Sequence, residues 1–163
     1  MMNKPPKAIA ALLLLMGAAT AAFAQSAAVS KPPAKQLERG RYLVQIAGCN
    51  DCHTPNYAPQ NGKVDEKLWL TGDAVGWAGP WGTTYPTNLR ILLAGMSEQQ
   101  WLHHARNMEP RPPMPWFNVR AMSDADLKAI YAFTRSLGTA GAPAPAYVPP
   151  GTKAAGPVIQ FPQ

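Results

Sequence analysis

The 163-residue chain has little cysteine and little acid, and each shortage excludes a class of protein. Two cysteines are too few for a scaffold held together by several disulfides. Nine acidic against 15 basic residues give a net charge of +6, but without any long Lys/Arg run, so nucleic acid is not an expected partner. Proline and glycine, at 18 and 13 residues, are abundant instead, which excludes a long-helix bundle and favours a loop-rich fold.

Long apolar runs are also scarce, because the one strong run, 8–22, lies at the N-terminus. Two lysines precede it and an Ala-Phe-Ala cleavage site ends at Ala24, a pattern typical of a secretion signal. The run is shorter than the ~20 residues of a membrane-spanning helix. We therefore predict a signal peptide over 1–24, a periplasmic location and no transmembrane helix in the mature chain; an uncleaved membrane anchor is the alternative.

The rest of the chain divides by composition into three parts. Residues 25–35 are expected to form a flexible lead-in, and 36–138 a single small domain. Residues 139–163 contain six prolines and three glycines. Such a tail cannot be helical, so we expect it to be extended, either lying on the domain or free.

Three helices are predicted in the domain from apolar periodicity and end signals. The first spans about 35–49. The second begins at the N-cap Ser97 with a capping box and ends near Asn107. The third begins at the N-cap Ser123 and ends at Leu137, before a glycine. We predict an all-α fold of three main helices joined by long loops.

The stretch 54–96 is rich in Gly, Pro and Trp and shows no clean strand alternation. So much loop is uncommon in a small domain unless something else fills the core, so the stretch predicts a large bound cofactor. Arg90 and Arg106 are candidates to pair with an acidic group of that cofactor. The five tryptophans are expected to line its pocket: Trp69, Trp77, Trp81, Trp101 and Trp116.

The motif Cys49-Asn50-Asp51-Cys52-His53 is C-x-x-C-H, the attachment site of c-type haem. Two thiols about one helical turn apart can each add to a vinyl group of one porphyrin, and the next residue brings an imidazole to the iron. The motif therefore predicts one covalent haem c with His53 as an iron ligand.

Two other interpretations of the cysteine pair are less favoured. A thioredoxin-type redox pair would need a strand–turn–helix setting, whereas a helix precedes this motif. A structural zinc site would need four ligands. The remaining histidines, His103 and His104, are adjacent on one predicted helix, and their simplest interpretation is exposure to solvent.

A second protein ligand would make the iron an electron carrier, and a Met ligand raises its potential. Met114 is the best candidate, because prolines on both sides stiffen its loop. Met122, just before the third helix, is the alternative ligand. Met96 and Met108 flank the second helix and are expected to pack against the core or the cofactor.

These features together resemble a monohaem cytochrome c of the His/Met class over residues 36–138. The C-x-x-C-H after a first helix, the proline-rich Met loop and the closing amphipathic helix carry the resemblance. Met114-Pro115-Trp116 and the segment 123–131 are similar to cytochrome c subunits of bacterial periplasmic alcohol and aldehyde dehydrogenases, although those often have several C-x-x-C-H motifs and this chain has one.

The resemblance implies a small cytochrome c fold in which the first and last helices cross, with Gly40 and Tyr131 at the crossing. It also implies thioether bonds from Cys49 and Cys52, with His53 as proximal and Met114 as distal ligand.

The function implied is electron transfer rather than catalysis of a reaction. The protein would be a soluble carrier or the cytochrome subunit of a dehydrogenase, with redox proteins as partners: a dehydrogenase as donor and an oxidase or another cytochrome as acceptor. Two alternatives remain open. One is an open-site haem protein, a peroxidase or gas sensor, and the other is a thiol–disulfide oxidoreductase.

Overall fold

The computed structural model describes residue 1 and residues 31–162, and the elements of secondary structure belong to a compact unit that begins at Pro32. Apart from residue 1, the predicted signal peptide lies outside the described residues. Within them, helices surround a hydrophobic core and a three-stranded sheet lies in the loop-rich part. The elements in chain order are α1 Ala34–Ile46, α2 Cys49–His53, a 3-10 turn Glu66–Leu68, β1 Gly76–Gly79, β2 Gly82–Thr84, α3 Leu89–Ala94, α4 Glu98–Asn107, α5 Trp116–Ala121, α6 Asp124–Ser136 and β3 Val158–Gln160.

The first predicted helix is two helices in the structure. Helix α1 ends at Ile46, and α2 begins at Cys49. Gly48 between them has φ +72°, a left-handed conformation that ends an α-helix and that glycine adopts without strain. The C-x-x-C-H motif is therefore a separate five-residue helix, free to take its own direction.

The second and third predicted helices are confirmed as α4 and α6. Ser97 and Gln100 form a full capping box at the start of α4. The Ser123 hydroxyl accepts a hydrogen bond from the amide of Asp126 at the start of α6. These ends could be predicted because each is specified by residues a few positions apart.

Helices α1 and α6 cross at Gly40. A Cβ added there would lie 2.0 Å from the carbonyl oxygen of Ala129 and 2.7 Å from the Cβ of Phe133. Arg39 donates to Asp126 beside this contact at 2.9 Å. Tyr131, which the resemblance pairs with Gly40, directs its hydroxyl elsewhere and donates to the carbonyl of Met96 at 2.7 Å.

The core lies between α6 and the helices packed on it. Leu127 and Ile130 of α6 are buried with Val44 of α1 and Leu93 of α3. Trp69 is also in this core, where its ring makes edge contacts with Tyr57 and Phe133. The all-α cytochrome c expectation agrees with this mostly helical architecture.

The sheet, like the six-residue helices α3 and α5, was not predicted from sequence periodicity. Strand β1 pairs antiparallel with β2 and parallel with β3, so the order is β2-β1-β3. Two strands lie inside 54–96 and the third belongs to the proline-rich tail. Strands of three or four residues are too short to show alternation, and a partner some 80 positions away leaves no local pattern.

Candidate functional site

The short helix α2 carries both cysteines on one side. Cys49 and Cys52 are three positions apart, which places them as neighbours on a helix surface, and both are free thiols. Asn50 between them is fully buried, and its side-chain carbonyl accepts a hydrogen bond from the Thr54 hydroxyl at 2.8 Å. The Thr54 oxygen in turn accepts from the amide of Leu70 at 2.8 Å. This buried chain fixes α2 to the core.

His53, at the end of α2, is buried and held by a single backbone oxygen. Its Nδ1 lies 2.7 Å from the carbonyl oxygen of Thr87. A carbonyl can only accept, so Nδ1 carries the proton and Nε2 keeps its lone pair. Burial lowers the pKa of His53, against an opposing effect of the Thr87 hydrogen bond, which favours the neutral imidazole that a metal requires.

A cavity of about 860 Å³ lies beside this helix, lined by Cys49, Cys52 and His53 among others. Its volume falls within the roughly 300–1,000 Å³ of ligand sites in proteins. The rest of its lining is mostly apolar, with contributions from α3, α4, α5 and the segments between them.

Three methionines reach this cavity: Met108, Met114 and Met122. Both candidates for the second iron ligand are thus in the lining, and so is Met108, which was expected to pack against the core or the cofactor. Met96 is not among the lining residues.

The loop that carries Met114 is held at both of its ends. The Thr84 hydroxyl of β2 donates to the carbonyl of Pro112 at 2.8 Å. After the methionine, the Trp116 amide donates to the Met114 carbonyl at 2.9 Å, and the Arg120 guanidinium lies 4.4 Å from the Trp116 ring centre. Proline rings and these contacts together restrict the loop to one path.

The expectation that all five tryptophans line the pocket is wrong for three of them. Trp77 and Trp101 line the cavity. Trp69 lies in the core, Trp81 packs on Phe161, and Trp116 packs under Arg120. The indole N–H groups of Trp69 and Trp101 donate to the backbone carbonyls of Val64 and Leu127.

The two arginines proposed to pair with the cofactor have structural roles instead. Arg90 is buried and donates to the carbonyls of Lys67, Leu137 and Gly138. Arg106 donates to the carbonyl of Arg120 and to the carboxylate of Asp124. Neither is in the cavity lining, so the expectation is wrong.

Several lining residues were missed by sequence reasoning. His104, expected at the surface, is half-buried and lines the cavity near Trp101. Thr87 offers only a backbone carbonyl, which no side-chain pattern can reveal. The tail contributes Pro143, Ala144, Pro145 and Tyr147 to the cavity wall. Its composition did not decide whether it lies on the domain or is free.

The chemistry of these groups fits a covalently held haem. A cysteine pair one turn apart, an imidazole with a free Nε2 and thioether side chains surround one apolar cavity. Among residues 31–162 no three His, Cys, Asp or Glu side chains cluster as they would around a bare metal ion. Fold and site together define a protein of the c-type haem class.

Comparison with known proteins agrees with this class. The family model of cytochrome c matches residues 37–138, and the chain belongs to the cytochrome c family. The family binds haem c covalently through a cysteine pair of this spacing and the following histidine, here Cys49, Cys52 and His53, and transfers electrons.

One curated relative has a more specific name. The fructose dehydrogenase cytochrome subunit of Gluconobacter japonicus is 32% identical over 112 residues, covering 61% of this chain and 21% of that subunit. The chain thus spans about one fifth of the length of the curated relative it matches. No solved structure matches the chain.

Proposed function

We propose that this protein is a periplasmic one-electron carrier whose haem iron is held by His53 and Met114. When bound, the haem supplies an Fe(III)/Fe(II) couple, and a thioether ligand favours the reduced form. The observation that carries the proposal is the convergence of the C-x-x-C-H helix and the proline-flanked Met114 loop on one cavity.

The roles of the protein groups follow from their contacts. The Thr87 carbonyl orients the His53 ring and makes its Nε2 more basic. The bonds from Thr84 and Trp116 hold the Met114 loop, so that little conformational entropy is lost when its sulfur binds a metal. The mostly apolar lining of the cavity suits the apolar faces of a porphyrin ring.

Met114 is preferred to Met122 and Met108 because of its surroundings. Met122 is the C-cap residue of α5 and packs against the hydrophobic core, so its side chain already has a structural role. Met108 is the C-cap residue of α4. Met114 lies outside all helices and strands and outside that core cluster, with its backbone fixed on both sides.

Absorption spectroscopy of the haem-loaded full chain tests this assignment. We expect a weak far-red sulfur–iron band in the oxidised wild type and its loss in Met114→Ala. We also expect a fall in reduction potential on the order of 0.1 V, within the roughly 0.8 V that axial ligands span. Met122→Ala and Met108→Ala are matched controls and should retain the band. A band that survives in Met114→Ala and disappears in Met122→Ala would reassign the ligand.

The alternative functions make different predictions in the same preparation. An open-site haem protein would bind carbon monoxide promptly in the reduced wild type, whereas a six-coordinate carrier would not. A thiol–disulfide enzyme needs a low thiol pKa, but burial raises the pKa of Cys49 to about 11 and also raises that of Cys52. A redox-active pair has a lowered thiol pKa, whereas the pKa values of both thiols are raised here.

The partner is proposed to be a dehydrogenase, on the basis of the similarity to a dehydrogenase cytochrome subunit. In the part of the chain that the structure describes, no helix has both the length and the apolar character needed to cross a bilayer. Expression of the full chain in a bacterium that matures c-type haem, followed by release of the periplasm, tests the location. Co-purification with a dehydrogenase would support the subunit role, and a lone monomer the diffusing carrier.

A further inference from the structure

The proline-rich segment 139–162, called here the C-terminal strap, runs along the domain and past the cavity. At its start, the Asn88 side-chain amide donates to the carbonyls of Ala140 and Ala142 at 2.8 and 3.1 Å. At its end, Phe161 packs against the rings of Trp77 and Trp81, with centroids 5.7 and 5.4 Å away. The strap is therefore tied down on both sides of the cavity-lining part.

The middle of the strap is held by the β1–β2 hairpin. The amide of Val148 donates to the carbonyl of Thr83 at 3.0 Å, and the reverse bond is 2.8 Å. The Tyr147 hydroxyl donates to the carbonyl of Trp81 at 2.8 Å. The ring of Tyr147 meanwhile forms part of the cavity wall.

Gly82 makes this approach possible. A Cβ at this position would lie 2.4 Å from the carbonyl oxygen of Val148 and 3.0 Å from the Tyr147 ring. Its φ of +94° also disfavours any other residue. The absence of a side chain at Gly82 therefore lets the strap backbone pack directly against the hairpin.

The strap also contacts the loop of the proposed iron ligand. The Arg111 guanidinium carbon lies 3.8 Å from the centre of the Tyr147 ring, a close cation–π contact. Arg111 is three residues before Met114, and Pro112 between them is bonded to Thr84 of the same hairpin. Tyr147 therefore links the strap, the hairpin and the Met114 loop.

We propose that the C-terminal strap is a clasp over the cofactor cavity, and that Tyr147 is a positioning residue that holds the Met114 loop in place through Arg111. This inference rests on the proposed ligation by Met114. In this role the tail, beyond the residues matched by the family model, governs how readily an outside molecule replaces the methionine.

Carbon monoxide is the probe, and the haem-loaded full chain is the sample. Loss of the cation–π contact between the exposed Arg111 and the half-buried Tyr147 ring predicts about threefold faster carbon monoxide binding to the reduced Tyr147→Leu protein. The far-red band of the oxidised variant should also disappear at a lower concentration of added imidazole than in the wild type, because the Met114 sulfur is displaced more readily. Tyr147→Phe keeps the ring beside Arg111 and loses only the hydroxyl bond to Trp81, so its binding rate should lie closer to that of the wild type than to that of Tyr147→Leu.

Two further variants separate positioning from general destabilisation. Arg111→Gln changes an exposed side chain and should accelerate binding without unfolding the domain. Tyr57→Leu removes another half-buried ring, which packs on Trp69 away from the cavity lining, and should leave the binding rate unchanged.

Unchanged binding rates and far-red bands in both Tyr147→Leu and Arg111→Gln would overturn the clasp while leaving Met114 as the ligand. Equal acceleration by Tyr57→Leu would also overturn it, since any destabilisation would then suffice. A Met114→Ala spectrum identical to that of the wild type would overturn the ligation and the clasp together.

Discussion

Gly40→Ala is expected to destabilise the folded protein by about 3 kcal/mol, because the new methyl group overlaps a neighbouring helix. The added Cβ would lie 2.0 Å from the carbonyl oxygen of Ala129, a backbone atom that no side-chain rotation can move. Alanine gains about 1 kcal/mol of helix propensity at this position, which offsets only part of the loss. Helices α1 and α6 must separate, and the packing of Val44 and Phe133 is loosened with them.

Thermal unfolding of the haem-loaded protein, followed by circular dichroism, measures this effect. A midpoint lower by on the order of 10 °C is expected. Gly95→Ala is the matched control, because its Cβ would meet nothing closer than the Leu92 carbonyl at 3.6 Å. Equal unfolding midpoints for Gly40→Ala and Gly95→Ala would contradict a close helix crossing at Gly40.

Arg90→Met is expected to have the second large effect on stability, also about 3 kcal/mol. The guanidinium of Arg90 is buried and donates to three backbone carbonyls, two of which follow the end of α6. These oxygens have no helical partner, and a positive charge at a helix C-terminus is favourable. Methionine replaces the apolar stem but leaves the buried acceptors without their donor.

Arg135→Met provides a comparison for this variant. Arg135 also donates to two carbonyls, those of Leu93 and Ala94, but its side chain is exposed and water can replace it. We expect a loss of about 1 kcal/mol or less there, measured by denaturant unfolding of the haem-loaded protein. A cost for Arg90→Met no greater than for Arg135→Met would show that the buried bonds are replaced by other donors.

Arg90 illustrates why some side chains were assigned to the wrong role. A lone arginine in a loop-rich stretch was a reasonable partner for an acidic group of the cofactor. Its real partners are backbone carbonyls of residues 67, 137 and 138, and backbone acceptors look the same at every position of a sequence. Three tryptophans were wrongly expected in the cavity wall for a similar reason, since a large ring packs equally well in the core and in the cavity wall.

The features that the sequence by itself determined are those set by neighbouring residues. The C-x-x-C-H spacing and the cap residues Ser97 and Ser123 each act within a few positions, so their roles can be predicted without knowledge of the fold. The single first helix was wrong because Gly48 divides it, and the left-handed conformation of Gly48 depends on where the chain turns next. Helices α3 and α5 were not predicted, since six residues are too few to show a helical periodicity.

Tertiary structure alone decided the sheet, the course of the tail and the wall of the cavity. The pairings of β1 with β3 and of Thr83 with Val148 join backbone groups far apart in sequence, and the His53 ring also meets a distant backbone group, the Thr87 carbonyl. Backbone hydrogen bonds carry no residue-specific pattern, so only the folded chain reveals which groups meet. The motif thus identified the cofactor, and the fold selected the residues that enclose it.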